Sequence, residues 1–587
     1  MKSWFSKNKK LVKNIVILGL AYATGLSLAM VHGYRITGIE VIVPCLMALA
    51  AVVYFKAENV WGSISVRDKI MSGVVGFVFA LTQVVGGRFD FYNNEYLGLP
   101  VLHLLLYPFF GLFCSAAVML LFIFRDKYAV EHEAEAKPYF RILFLLNLIC
   151  YLPYYLTFFP GNCGNDTWYS LSMIEGLVPW SNHHPVLFTG LMMIVVKGTA
   201  FLGSLTLSIG IFSFLQMVSL AATLAYLGAR ICGMKVSGVI KAFAVLMFAL
   251  HPFIGMYSVY LTKDVLFSEI MVLLCIKLYD VIKSDGEAFG NTKECITIGM
   301  LFLLSCMLRN NGMYIAIVMA VIFACKYRRY LKRILILFVC VIGLFRIWYG
   351  PVQDAMGIEK QSFAEAASVP LQQVGYVLWE GKEFSAEDMA FLEKIMPAER
   401  VKEVFQPGFT DPYKFDEQFN DEFFNENTGE FLKVWSHGLV PYFGEYVEAY
   451  LHQTLGYWYY GATNTVATQG CTENDLGVAQ IDVIKNISGF SLEPIFEKAI
   501  LAGRKAPVVC ILGSMAMQMF MVLLLVLQYF RSGTGNKALW LLPLILLWGT
   551  LMVATPAFCL LRYLFVVFLL WPFMIAEFLA PQEAEVV

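Results

Sequence analysis

Four short stretches of the chain hold polar residues whose types and spacing could do chemistry. The first reads Phe159-Pro-Gly-Asn-Cys-Gly-Asn-Asp166-Thr-Trp-Tyr and continues through Glu175 to Pro179-Trp-Ser-Asn-His-His-Pro185. A carboxylate just outside a membrane helix, under aromatic residues and near Glu175 and two histidines, is expected to be partly desolvated. Desolvation raises its proton affinity and suits it to serve as a base. Asp166 is the leading candidate, although an aspartate before a helix starting at Thr167 also fits an N-cap.

The second stretch, Tyr257-Ser-Val-Tyr-Leu-Thr-Lys263-Asp264, is too short to leave the bilayer surface. Its Lys263 ammonium suits a phosphate, and Asp264 could orient it, hold an acceptor hydroxyl or join a metal site. A helix cap with a snorkelling lysine fits equally. In the third, Leu308-Arg309-Asn-Asn-Gly312, a guanidinium stands on the face where few cations belong, and its planar fork matches phosphate oxygens. An interfacial anchor ending a helix is the alternative. The fourth, Thr555-Pro-Ala-Phe-Cys-Leu-Leu-Arg562-Tyr563, brings a second guanidinium and a phenol to the same leaflet.

His183 and His184 could touch substrate or simply hydrogen-bond at the interface. With Asp166 or Glu175 one of them could complete a divalent-metal site, but no His-Glu-x-x-His or Cys-x-x-Cys spacing supports it, so the metal stays unknown. Glu448 and His452 precede the aromatic run Leu455-Gly-Tyr-Trp-Tyr-Tyr460, which could stack on a sugar but more readily packs. The chain has no Gly-x-x-x-x-Gly-Lys-Ser/Thr loop, dinucleotide fingerprint or Gly-x-Ser-x-Gly elbow. Direct use of ATP or NAD therefore has no support, and no other cofactor is implied.

The elements that must position these groups follow from composition. Of 587 residues 59% are hydrophobic and 15% charged, and mean hydropathy is +0.66. Such a chain is an all-α polytopic membrane protein rather than a soluble globule, a disordered chain or a disulfide scaffold. A net charge of -1 gives no general attraction to nucleic acid.

Apolar runs long enough for a core about 30 Å thick predict about 14 transmembrane helices between Leu11 and Phe578. With Lys7, Lys9 and Lys10 cytoplasmic, the basic loops fall on the cytoplasmic face throughout, provided Val186 to Leu202 does not cross. Both termini are then cytoplasmic, and the first span is a retained anchor in the cell membrane. Four parts are expected: a four-helix membrane module at 1-137, a catalytic membrane core at 138-349, an acidic, mainly helical extracytoplasmic domain at 350-505, and C-terminal transmembrane helices at 506-587. Cys163 and Cys471 both lie outside the membrane, and whether they pair is open.

Asp166 in the first outer loop of the core, the following His-His-Pro, Lys263-Asp264 in the next outer loop and the late Arg562-Tyr563 resemble the membrane-embedded glycosyltransferases of the GT-C superfamily. That superfamily includes protein O-mannosyltransferases and aminoarabinose transferases, and the likeness runs from Tyr139 to about Phe578. Pro370-Leu-Gln-Gln373 and Leu455-Gly-Tyr-Trp-Tyr459 are also similar to a poorly characterised branch of large Gram-positive membrane proteins. The resemblance implies transfer of a sugar from a polyprenyl-phosphate donor to an extracytoplasmic glycan or lipid acceptor, with membrane lipids as surroundings. It makes Asp166 and Asp264 catalytic, Lys263, Arg309 and Arg562 phosphate-binding, and Glu175, His183, His184 and Tyr563 substrate-binding. Asp166-Thr167 replaces the paired acids of protein mannosyltransferases, and the Trp-Trp-Asp motif of oligosaccharyltransferases is missing, so protein acceptors are not expected.

Two other classes remain open. A transporter or flippase would explain many helices, although no repeated halves or interrupted midplane helices stand out and the charges gather at one face. A non-catalytic envelope-assembly scaffold would make the acidic outer domain the working part.

Overall fold

In hydrocarbon a backbone has no polar partner but itself, so long runs of Leu, Ile, Val, Phe and Ala fold as helices. A computed structural model of the chain describes residues 9–31, 39–90, 95–129, 139–462, 466–472, 474–505 and 509–581. Lys7, the boundary expected at residue 137 and both chain termini lie outside the described residues. Apart from a two-residue strand pair, Phe89–Asp90 with Glu95–Tyr96, and isolated bridges, the regular structure is helical.

Among the described residues nine helices are long and apolar enough to cross a membrane, and a tenth span is possible if Gly238–Leu250 and Pro252–Val259, bent by 42°, count as one. The described residues of the fourteen expected spans are largely helical, but four of those stretches fail that test for physical reasons. Lys263–Lys283 carries too many charges, while Thr292–Leu308, Asn311–Lys326 and Met515–Arg531 have 17, 16 and 17 residues. Val186–Gly198, at 13 residues, is about 20 Å long and too short to span alone.

Of the first four helices, Lys9–Val31, Ile39–Val60 and Val101–Tyr128 pack around Ala21, Ala50, Tyr54 and Met119, and Val66–Gly86 joins them through Ala80, Val84, Phe110 and Cys114. Their outward Leu102, Leu104 and Leu105 are exposed, as lipid-facing side chains should be. Gly76 lets two of them touch, since a Cβ there would stand 2.2 Å from the Ser115 amide nitrogen. Arg125 fastens this group to the end of the chain by donating to the carbonyls of Phe578 and Ala580.

Residues between Ala364 and Ala449 have their own apolar core, centred on Leu371, Val377, Phe424 and Phe431. Helices Ser368–Trp379, Ala386–Ile395, Ala398–Val404, Thr428–Gly438 and Phe443–Thr454 build it. Backbone contacts tie this unit to the stretch before Arg562: the Thr410 amide donates to Pro556 O, Phe558 to Gly408 O and Gly456 to Phe558 O. Gln453 adds a side-chain bond to Thr555 O at 2.6 Å.

Candidate functional site

Two loops distant in sequence are joined by backbone hydrogen bonds, and that joint sets the site. The Asn162 amide donates to Val259 O at 2.8 Å and the Leu261 amide to Asn162 O at 3.0 Å. The Thr167 hydroxyl donates to Leu261 O at 2.5 Å. Helices start on either side of the joint, Asn165–Glu175 and Lys263–Lys283, so the first turns of both face one another. Gly164 permits the closeness, because a Cβ there would meet Tyr260 Oη at 2.7 Å.

Asp166 is not the N-cap of a helix from Thr167. The helix begins at Asn165 after Gly164, which leaves the Asp166 carboxylate in the first turn, free of capping duty. It takes Lys263 Nζ at 3.3 Å and Arg562 Nη1 at 2.9 Å on the same oxygen. Asp264 is likewise a first-turn residue, and Thr262 is the cap. Fully buried, Asp264 lies between Arg309 Nη1 at 3.3 Å and Arg562 Nε at 3.6 Å. Lys263 also donates to His184 Nδ1 at 3.0 Å, which requires that ring nitrogen to be the unprotonated one.

The result is one continuous run of alternating charge, Arg309, Asp264, Arg562, Asp166 and Lys263, ending on His184. Three cations face two carboxylates, so the cluster keeps a positive excess. Arg309 Nη1 meets Asp264 as an ion pair without hydrogen-bond geometry, which leaves it donor capacity that an anionic oxygen could use. Tyr563 packs beneath both guanidinium groups, 4.9 Å from Arg309 and 5.2 Å from Arg562.

The electrostatics correct one expectation. Burial works to raise the Asp166 carboxyl, but Lys263, Arg562 and His184 outweigh it, and the group lies well below the ordinary carboxylate range. Asp166 is therefore ionised and, while Lys263 and Arg562 hold it, a weak base rather than one of raised proton affinity. Burial, then the Lys263 ammonium, pushes His184 down to about 2, so its ring is neutral. Burial likewise lowers His183 and raises the Tyr260 phenol to about 12.

Two cavities meet at the cluster, and His183, Lys263, Glu365, Pro556, Arg562 and Tyr563 line both. One, about 960 Å³, is an apolar groove between helices Asn311–Lys326 and Leu542–Ala554, walled by Tyr314, Phe345, Trp348, Ile545 and Trp548, with Arg309 at its end. The other, about 1020 Å³, lies against residues 409–415 and carries more charged side chains, with Asp166, His184, Tyr260, Asp411 and Lys414 on its walls.

Glu175, expected beside Asp166, does not join the cluster. Nine residues of helix carry it about 14 Å along the axis, where it pairs with Lys197 at 2.9 Å. Asp264 belongs to the cluster but lines neither cavity. His452 packs between Phe89 and Phe558, Glu448 accepts from Tyr376, and Tyr457 bonds Thr555, so these groups serve packing and line neither cavity. Tyr260, Glu365, Asp411 and Lys414 are site residues that sequence reading missed. Lys414 Nζ is held between Glu365 at 2.8 Å and Asp411 at 2.9 Å, and Glu365 lies 3.7 Å from His183 Nδ1. Among the described residues no three His, Cys, Asp or Glu side chains are grouped to hold a metal. Asp166 Oδ2 is taken by Lys263 and Arg562, and His184 Nδ1 by Lys263.

The chain belongs to a family of unknown function, DUF6020, whose match covers residues 178–587. Every member of the charge cluster except Asp166 falls inside that span. No curated protein and no solved structure matches the chain.

Proposed function

We propose that the protein is a membrane glycosyltransferase that moves a sugar from a polyprenyl-phosphate donor to an extracytoplasmic envelope glycan or lipid. In this proposal the chain crosses the membrane about fourteen times, with both termini in the cytoplasm and the unit around residues 364–449 outside. One observation carries the reading: a groove walled by aromatic and aliphatic side chains and a cavity rich in charged groups meet at Lys263 and Arg562, with Arg309 on the groove side and Asp166 on the other.

The prenyl chain would lie in the groove between Trp348 and Trp548, with its phosphate at the three cations. The acceptor would enter the second cavity, its hydroxyl donating to Asp166. The acceptor oxygen forms a bond to the anomeric carbon while the bond from that carbon to the phosphate oxygen breaks, and the electron pair leaves with the phosphate. Lys263, Arg309 and Arg562 would stabilise the charge growing there. A phosphate drawing Lys263 and Arg562 towards itself would also relax their hold on Asp166 and raise its basicity just where the acceptor proton must go. Asp264, buried behind the two arginines, would be a positioning residue rather than one that touches substrate.

The test is turnover in lipid nanodiscs with a panel of polyprenyl-phosphate sugars, following the released carrier phosphate by mass spectrometry. Release by wild type that is lost in Asp166→Asn, with folding intact, is expected. Donor binding without release under any acceptor would favour a transporter, and neither binding nor release would favour a scaffold.

A further inference from the structure

The loop that carries Asp166 is also joined to a third segment, the wall of the second cavity at Val466–Gln469. The Cys163 amide donates to Gly470 O at 2.9 Å, and Asn162 Nδ2 donates to Ala467 O at 2.6 Å. Cys163 and Cys471 are bridge partners in this pairing, and their sulfur atoms are 3.3 Å apart. Paired backbones lie about 4.8 Å apart, inside the Cα separation of about 4.4–6.8 Å that a disulfide accepts. Cys163 is buried and Cys471 is partly exposed, so an oxidant could reach one sulfur and the other could then close on it.

We propose that Cys163 and Cys471 are a disulfide-forming pair that staples the wall of the second cavity to the loop bearing Asp166. The step is thiol–disulfide exchange with an oxidised dithiol oxidoreductase on the outer face. The Cys471 thiolate attacks that disulfide and forms a mixed disulfide. The Cys163 thiolate then attacks Cys471 Sγ and releases the oxidoreductase as a dithiol, which takes both electrons and both protons. The neighbouring Cys471 and burial hold the Cys163 thiol above its ordinary range, and its burial leaves the first attack to the partly exposed Cys471. A bond here spans 308 residues of chain and fixes the wall three residues before Asp166. The proposal rests on the outward orientation given above, but not on sugar transfer.

The experiment reads covalent state, not activity. Cells are broken in excess maleimide to block free thiols, and the full-length protein is purified without reductant and mapped as peptides. The expected result is one cross-linked species joining the Cys163 and Cys471 peptides, lighter than the free pair by two hydrogen atoms and separated by reduction. Cys163→Ser should leave Cys471 fully labelled before reduction, and Cys471→Ser should do the same for Cys163. Maleimide on both cysteines of the unreduced wild type, or either cysteine linked to another partner, would overturn the proposal. The wild-type map decides even if a variant fails to fold.

Discussion

Arg562 Nη1 donates to Asp166 Oδ2 at 2.9 Å across 396 residues of sequence, so the turn Leu561–Leu564 near the end of the chain is held by the first turn of a helix in its first third. The same guanidinium reaches Asp264 with Nε, and a lysine's single point charge does not reproduce the fixed spacing of those two donor atoms. Arg562→Lys is therefore expected to lower donor turnover by about a hundredfold or more, in the range for losing one preorganised donor at a developing charge. Donor release by the purified variant, with a melting curve to check folding, measures it. Wild-type turnover in this variant would remove Arg562 from the site.

Asp264 has no exposed surface and separates two arginines. Removing its charge in Asp264→Asn leaves Arg309 without its carboxylate and Arg562 with Asp166 alone, at a cost of about 3–5 kcal/mol typical of a broken buried pair. A lower melting temperature is expected, partly regained in Asp264→Asn/Arg309→Gln because the two sites are coupled. Additive losses in the double variant would mean that the pair does not interact.

Gly164 is required by its distance to Tyr260 Oη rather than by its backbone angles. Gly164→Ala should push the Asp166 loop away from the 257–264 loop and lower turnover, and Tyr260→Phe in the same chain should restore part of it by removing the closest atom. No rescue would place the fault elsewhere.

Gly549 lines the groove, and a Cβ there would meet nothing within 4 Å. Gly549→Phe fills open space instead of displacing protein. For a groove that holds a prenyl chain, KM for long-chain donors should rise at least about tenfold while kcat changes little, the signature of lost uniform binding. Unchanged KM across donor chain lengths would exclude the groove as the carrier site.

Acid should weaken the fold through His184. Its folded-state value of about 2, against an ordinary 6.5, means the folded protein binds fewer protons than the unfolded chain between those limits. Stability then rises with pH up to about 6.5 and falls below it, by at most about 1.4 kcal/mol per pH unit. The depressed Asp166 acts in the same direction at lower pH: its stabilisation is present above the ordinary 3.8 and is lost as pH falls through the folded value. Melting temperatures at pH 7.5 and pH 5 should differ more for wild type than for His184→Asn. Equal differences would show that His184 is not held neutral.

How much was legible in the sequence differs by kind. Helix after helix followed from apolar runs, because hydrocarbon leaves the backbone no other choice. Asp166, Lys263, Asp264, Arg309 and Arg562 stood out since charges at a membrane surface need partners, and they are one another's partners here. The strength of that pairing was not legible, so the carboxylate expected to gain proton affinity has lost it. Glu175 was misjudged because proximity in sequence ignores the length of helix between it and Asp166. Glu365, Asp411 and Lys414 carried no signal in the sequence, since only the hydrogen bonds of Gly408 and Thr410 to residues 556–558 bring them to the cavity.

Sugar transfer is tested most directly by the bond that breaks. A donor labelled with heavy oxygen between the anomeric carbon and phosphorus should release polyprenyl phosphate that keeps the label, with wild type active and Asp166→Asn and Arg562→Lys strongly impaired. Label found in the sugar product would mean phosphosugar transfer by cleavage at phosphorus. No release from any donor, or release untouched by both substitutions, would contradict a glycosyltransfer site at this cluster.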